Sequence, residues 1–87
     1  MGRAVRPKPL RLAEKLKAVR KNLRLSQTEM LIKLGYPPDM TDFRSIISAY
    51  ELGKREPTLI DLLSYARLAG VTVESIIDDK MELSINL

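Results

Sequence analysis

Three glycines close successive amphipathic segments of the chain, and this punctuation restricts it to a helical fold. Gly35, Gly53 and Gly70 each follow a run with apolar residues at helical spacing, and glycine readily ends a helix in the left-handed conformation. Hydroxyl residues stand where the helices should begin, because their side chains accept hydrogen bonds from the free N–H groups of a first turn. We therefore predict an all-α, compact domain of five helices.

The helix starts have specific signatures. Ser26 and Glu29 belong to the capping-box sequence Ser-Gln-Thr-Glu, Thr58 stands three residues before Asp61, and Thr72 precedes a short apolar run. The helices are expected over residues 10–25, 27–34, 41–52, 58–70 and 72–77.

Apolar residues at helical spacing predict the buried face of each helix. They recur every three or four positions, with charged residues between them. The predicted inward residues are Leu12, Leu16, Val19 and Leu23 in the first helix, Phe43, Ile46, Ile47 and Tyr50 in the third, and Leu59, Leu62, Leu63 and Ala66 in the fourth.

Composition excludes most catalytic chemistry. The 87 residues include no Cys and no His, which removes thiolate nucleophiles and the commonest metal ligands and general base. We expect no catalytic residues, no metal site, no cofactor and no enzymatic activity. No apolar run approaches the roughly 18 residues of a membrane span, and the N-terminus lacks the apolar core of a secretory signal, so a cytoplasmic protein is expected.

Charge is distributed unevenly along the chain. Residues 1–33 carry ten basic and two acidic residues, whereas residues 56–87 carry two basic and six acidic ones. A cationic half favours contact with a polyanion such as double-stranded DNA. A solvated helix face beside a basic tail explains the same charge, so the charge alone does not decide the function.

The two ends of the chain differ from the helical part. Residues 1–9 hold two prolines and three basic residues, and are predicted to be a flexible basic arm ahead of a domain over 10–78. In residues 79–87, apolar and polar side chains alternate from Met81 to Leu87, which predicts a short strand-like tail that pairs within the chain, across a dimer or with another protein.

Several short motifs occur in order along the predicted helices. Together they resemble the Xre and lambda-repressor-like helix-turn-helix family over roughly residues 10–78. The motifs are Leu25-Ser26-Gln27, Leu34-Gly35, Ile47-Ser48-Ala49-Tyr50-Glu51, Gly53-Lys54-Arg55-Glu56-Pro57 and Ala69-Gly70-Val71.

The resemblance implies that the third helix reads the major groove of DNA. Arg44, Ser45 and Ser48 are then candidates for base contacts, and an Arg pairing with guanine contributes about 1–3 kcal/mol of discrimination. The candidates for phosphate contacts are Gln27, Thr28, Lys54 and Arg55, and those for arm contacts are Arg3, Arg6 and Lys8. Gln27 matches a family position that commonly grips a phosphate.

The segment 36–41 and Glu51 are not among the candidate contacts. The segment 36–41, with its two prolines, lengthens the family's turn by roughly half a dozen residues and leaves the start of the third helix open. Glu51 is expected to be structural, with Arg20 or Arg24 as its partner, because an unpaired carboxylate near phosphates is repelled.

The leading hypothesis is a sequence-specific DNA-binding transcriptional regulator, most simply a repressor, that reads a dyadic operator as a homodimer. Other functions stay open: an antitoxin that binds operator DNA and uses the tail to bind a toxin, or a protein-interaction module without DNA binding. The tail could instead form a two-stranded ribbon across a dimer axis.

Overall fold

The computed structural model describes residues 9–37, 39 and 44–83, with the side chain of Arg44 excepted. These residues form five α-helices and no β-strand, as predicted for an all-α domain: α1 (Leu12–Asn22), α2 (Gln27–Lys33), α3 (Arg44–Glu51), α4 (Leu59–Ala69) and α5 (Val73–Ile77). None of the helices in this part of the chain has the length and hydropathy needed to cross a membrane.

The predicted caps begin three of the helices. The Ser26 hydroxyl accepts from the Glu29 N–H at 3.0 Å, and the Glu29 carboxylate accepts from the Ser26 N–H at 2.8 Å, which completes the capping box of α2. The hydrogen bond that the Ser26 backbone N–H donates to the carboxylate is the main cause that lowers the pKa of Glu29. The hydroxyls of Thr58 and Thr72 cap α4 and α5, since they accept from the N–H groups of Asp61 and Ser75. Three of the five starts thus follow from hydroxyl residues in the sequence.

The helix α1 is shorter than the predicted 10–25 at both ends. The N–H groups of Leu10 and Arg11 donate to the carboxylate of Asp79, at 2.8 and 2.9 Å, so a residue that follows α5 holds the two residues that precede α1. Its far end closes at Arg24, which has φ 60° although it is not glycine. Backbone hydrogen bonds from Arg24 to Lys21 and from Leu25 to Arg20 complete this turn.

The core lies between the five helices. α2 packs most extensively on α3, and α1 contacts α3, α4 and α5. The residues that are almost completely buried come from every helix: Leu16, Val19, Met30, Ile47, Tyr65 and Ile76. The predicted inward faces of α1 and α3 are confirmed for their buried members Leu12, Leu16, Val19, Ile46, Ile47 and Tyr50.

The inward face of α4 was predicted correctly for Leu62 and Ala66 and wrongly for Leu59 and Leu63. Leu59 is 83% exposed and Leu63 is 36% exposed, whereas Asp61, Leu62, Tyr65 and Ala66 are buried. The prediction failed because it counted only aliphatic residues, and burial of the polar Asp61 rotates the inward face toward Tyr65. An apolar strip therefore faces solvent on the first two turns of α4.

The segment after α5 packs against α1 and does not form the predicted strand in its described part. Residues 79–83 are turn and irregular chain, and residues 84–87 lie outside the described residues. The ammonium of Lys15, which is only 3% exposed, donates to the backbone carbonyls of Ser75, Asp78 and Met81 at 2.7–2.8 Å. Gathering these carbonyls around one cation bends the chain, which is incompatible with an extended strand.

Candidate nucleic-acid interface

Arg20 and Glu51 form a buried ion pair that joins α1 to the end of α3. The guanidinium donates from Nε and Nη2 to the two oxygens of Glu51, at 2.6 and 3.0 Å, and their side chains are 12% and 4% exposed. The hydrogen bond with Glu51 raises the pKa of Arg20. Nη1 of Arg20 also donates to the Leu25 carbonyl at 2.9 Å, which holds the turn before α2. Glu51 is structural, as predicted, and Arg20, not Arg24, is its partner.

The side chain of Gln27 extends this pair to the first turn of α2. Its Nε2 donates to Glu51 Oε1 at 3.3 Å, and the residue is half-buried. The backbone N–H groups of Gln27 and Thr28 have no acceptor within the helix, as in any first turn, while that of Glu29 is taken by Ser26. Thr28 is exposed. The start of α2 thus offers N–H groups beside a carboxylate that Arg20 neutralises, a combination suited to a phosphate.

The helix α3 separates a buried face from an outer face that carries two serines. Ile46, Ile47 and Tyr50 are buried, Ser45 is exposed and Ser48 is half-buried. This places both predicted base-contact serines away from the core. Arg44 is the first residue of α3, but its side chain lies outside the described part of the structure, as do Phe43 and Asp42.

The turn after α3 presents the predicted phosphate contacts Lys54 and Arg55 to solvent. Gly53 has φ 73°, and the Lys54 N–H donates to the Ala49 carbonyl at 2.9 Å, which ends α3 with the left-handed stop expected from the sequence. Both cationic residues are exposed. Because Gln27 reaches the last residue of α3, the start of α2 and the 54–55 turn lie at the same end of the α2–α3 pair.

The predicted arm residues Arg3, Arg6 and Lys8 lie outside the described residues. The described chain starts at Pro9, which lines a shallow groove of about 180 Å³ together with Ala13, Gly53 and Arg55. The point at which the N-terminal residues join the domain is therefore next to the turn that holds Lys54 and Arg55.

A buried carboxylate that sequence reasoning assigned only to helix capping holds the start of the 36–41 loop. Asp61 accepts hydrogen bonds from the hydroxyls of Tyr36, at 2.9 Å, and Tyr50, at 2.7 Å. Burial and these bonds raise the pKa of both tyrosines. The loop insertion is thus tied to α3 and α4 at its first residue, and the sequence signal for this was a polar residue among apolar ones in the first turn of α4.

Two further buried polar groups were missed by the sequence interpretation. In the sequence analysis Lys15 was only one of the ten basic residues of 1–33, and Tyr65 was not assigned to the buried face of α4. The Tyr65 hydroxyl is buried without a hydrogen-bond partner among the described residues, and burial raises its pKa.

Neither a protein-family model nor a curated protein gives a significant match to the chain.

Proposed function

We propose that this chain is a helix-turn-helix DNA-binding protein of the transcriptional-regulator type, with α2 and α3 as the two helices of the motif. In this arrangement α3 enters the major groove and α2 lies across the sugar–phosphate backbone. The segment between them is longer than the tight turn of the motif, and Tyr36, held by Asp61, anchors its beginning.

The observation that carries the proposal is the Arg20–Glu51–Gln27 network. It fixes the end of α3 against the start of α2, and it neutralises the one acidic residue that α3 contains. A helix pair that must follow the shape of DNA needs a fixed mutual orientation. It also needs a surface that does not repel phosphates, and the paired Glu51 meets that need.

The outward residues divide by their chemistry into two roles. Ser45 and Ser48, on the outer face of α3, can donate to or accept from base edges, and Arg44 at the start of α3 is the candidate for guanine. Lys54 and Arg55, together with the N–H groups at the start of α2, suit phosphate oxygens. We expect the protein to act as a repressor that binds an approximately two-fold symmetric operator as a homodimer.

The antitoxin alternative has no support from the described part of the tail. Within residues 79–83, Asp79 accepts from the N–H groups of Leu10 and Arg11, and Glu82 accepts from the Arg11 guanidinium. The Met81 carbonyl accepts from Lys15 of α1. Their hydrogen-bonding groups are thus used within the chain itself, which leaves this stretch poorly suited to adding a strand to a partner's sheet.

Selection of bound duplexes from a random DNA library by the purified protein, at near-physiological salt, tests the proposal. We expect one enriched motif of two inverted half-sites, about one helical turn or 34–36 Å apart. Binding that enriches no sequence and disappears as salt is added would contradict it, because such binding needs only a cationic surface.

A matched pair of variants locates the contact. Lys54→Gln and Lys80→Gln each remove one exposed lysine outside the helices, so they change the net charge equally. Lys54→Gln should weaken binding to the selected duplex and reduce the slope of log affinity against log salt by about 1. Lys80→Gln should leave that slope unchanged. Equal effects of the two variants would show that the interface lies elsewhere.

A further inference from the structure

The connection between α2 and α3 is too long to fix the angle between these helices by itself. Ten residues, 34–43, separate the end of α2 from the start of α3, whereas the helices of a helix-turn-helix are joined by a turn of about 3–4 residues. A connection of ten residues can span up to roughly 35 Å, so it is compatible with many orientations of α3. The observed orientation therefore depends on packing and on side-chain contacts.

The last turn of α3 is held against both ends of α2. Glu51 accepts from Gln27, the first residue of α2, at 3.3 Å. The neighbouring Tyr50 donates to Oδ2 of Asp61 at 2.7 Å, and the hydroxyl of Tyr36, just after α2, donates to the same oxygen at 2.9 Å. Asp61 thus connects the end of α2 to the last turn of α3, although it belongs to α4.

Two contacts fix an orientation that one contact leaves open. Helices joined at a single point can rotate about that point, whereas a second contact at a distance removes this freedom. The seven residues of α2 are roughly 10 Å long, so the contacts of Gln27 and Tyr36 are well separated. Glu51 and Asp61 together therefore hold α2 in one direction relative to α3.

The buried position of Asp61 makes its hydrogen bonds difficult to replace. Asp61 is 3% exposed and Tyr50 is 2% exposed, so solvent does not readily substitute for a lost partner. A buried carboxylate oxygen without donors carries a large desolvation cost, which favours the state in which both hydroxyls are bound. The Asp61 N–H also donates to the Thr58 hydroxyl at 3.1 Å, which holds the residue in the first turn of α4.

We propose that Asp61 is a positioning residue for DNA recognition, which sets the angle between α2 and α3 by accepting the hydroxyls of Tyr36 and Tyr50. The proposal rests on the proposed function, in which that angle directs the outer face of α3 to base edges. Asp61 acts through α3 and does not itself contact DNA, because it is buried.

The effect of Asp61 falls on base selectivity more than on general affinity for DNA. Hydrogen bonds to base edges require donors and acceptors of α3 to lie in register with them. A phosphate contact is less demanding, since the flexible side chain of Lys54 can follow a phosphate that shifts slightly. A loosened α3 should therefore lose discrimination between sequences while it retains its phosphate contacts.

Residual dipolar couplings of the free full-length chain, measured by NMR without DNA, test the positioning role. One rigid orientation should fit the amides of α2 and α3 together in the wild type. Tyr36→Phe removes only the hydroxyl that Asp61 binds at the end of α2, and its α2 and α3 amides should no longer fit that orientation.

Tyr65→Phe is the matched control for this measurement. It removes a buried tyrosine hydroxyl that has no hydrogen-bond partner among the described residues, and it should retain the wild-type orientation. An unchanged orientation of α2 and α3 in Tyr36→Phe, or equal changes in both variants, would overturn the proposal.

Affinities for two duplexes test the consequence for recognition. Tyr36→Phe should bind the selected duplex at least about fivefold more weakly than the wild type, which is the loss expected for one weakened base contact. Its affinity for an unrelated duplex of equal length should change by less than about twofold, because phosphate contacts supply nonspecific binding. Equal losses on both duplexes, or no loss on either, would overturn the role in selectivity.

The positioning role and the proposed function can fail separately. The dipolar couplings are measured without DNA, so they report on the α2–α3 angle whether or not the protein binds DNA. A chain whose α2–α3 orientation depends on Tyr36 but that selects no DNA motif would contradict the proposed function and leave the control of the angle by Asp61 standing.

Discussion

Arg20 and Lys15 are two largely buried cations on the same helix that hold different parts of the molecule by different means. Arg20, near the end of α1, pairs with the carboxylate of Glu51 and orders the α2–α3 face. Lys15, near the start of α1, donates to three backbone carbonyls and orders the segment after α5. In the proposed function the first arrangement prepares a surface for phosphates, whereas the second ties the segment after α5 to α1.

The two regions also differ in which charged groups are paired within the chain and which are exposed. At the Arg20 region one cation is paired with one carboxylate, and Lys54 and Arg55 on the turn after α3 are exposed. At the Lys15 region the acidic residues Asp79 and Glu82 face Arg11, whose guanidinium donates to Glu82 at 3.0 and 3.1 Å. In the proposed function one end of α1 lies beside the phosphate-binding region, and the other end lies where Arg11 and Lys15 bond within the chain.

The largest effect is expected when the Arg20 pair is broken. Arg20→Met leaves the Glu51 carboxylate buried without its partner, so the free energy of unfolding should fall by about 3–5 kcal/mol, measured by urea denaturation. The double variant Arg20→Met/Glu51→Met should lose less than Arg20→Met alone, since no charge is then left unpaired. If the double variant were the less stable of the two, the pair would not be the coupled unit described above.

Removal of the Lys15 ammonium should have a smaller effect, confined to stability. Lys15→Met keeps the apolar stem but leaves the carbonyls of Ser75, Asp78 and Met81 without their donor, so the free energy of unfolding should fall by about 1–3 kcal/mol. Lys17→Met, at an exposed position, is the control and should change it by less than about 0.5 kcal/mol. Affinity of folded Lys15→Met for the selected duplex should equal that of the wild type; a clear loss would contradict the separation of the two regions.

Much of the fold was predictable from local sequence signals, and the exceptions have a common physical cause. The capping box at Ser26, the caps at Thr58 and Thr72 and the glycine stops depend on neighbouring residues, so they are visible in sequence. The partner of Glu51 was narrowed to two arginines because a carboxylate needs a cation. The carbonyl contacts of Lys15 and the contacts of Asp79 with Leu10 and Arg11 join residues 60 or more positions apart, and backbone groups carry no residue signature.

The candidate site was predictable to the same extent. Ser45 and Ser48 were predicted to lie opposite the inward residues of α3, and Lys54 and Arg55 to follow that helix. In the structure Ser45, Lys54 and Arg55 are exposed, and Ser48 is half-buried. The contact of Gln27 with Glu51 could not be predicted, because it depends on how α2 packs against α3. The exposure of Leu59 and Leu63 was missed for a similar reason, since aliphatic residues alone do not show which face of a helix is turned inward.

Substitution of Tyr65 tests whether the interior near Arg20 contains a polar group without a hydrogen bond. Its hydroxyl is buried without a partner in the described part of the chain, so Tyr65→Phe should leave the free energy of unfolding unchanged or raise it by up to about 1 kcal/mol. Tyr50→Phe is the contrasting variant and should lower it by about 1–3 kcal/mol, because Asp61 loses a donor. Thermal denaturation measures both, and a destabilised Tyr65→Phe would show that the hydroxyl is bonded.

Acid should weaken the region around the start of α1. Hydrogen bonds from the Leu10 and Arg11 N–H groups lower the pKa of Asp79, and the hydrogen bond from Arg11 lowers that of Glu82. A carboxylate whose pKa is lower in the folded state stabilises that state at any pH above its unfolded-state pKa, which is near 4. This stabilisation is lost as the pH falls through the folded-state pKa. The free energy of unfolding should therefore decrease below about pH 4.

The double variant Asp79→Asn/Glu82→Gln identifies the source of this acid sensitivity. It should flatten the decrease, because neither side chain then titrates. A decrease as steep as that of the wild type would assign the acid sensitivity to other groups, such as Glu29 in the capping box, whose pKa is also lowered.

Mapping of amide chemical shifts by NMR, during titration with the selected duplex, tests the central claim most directly. The account predicts that the largest changes fall on Gln27, Thr28, Ser45, Ser48, Lys54 and Arg55, while the amides of residues 78–83 stay nearly unchanged. Changes concentrated around residues 78–83 and the start of α1, with the α2–α3 face unaffected, would contradict the assignment of that face to DNA.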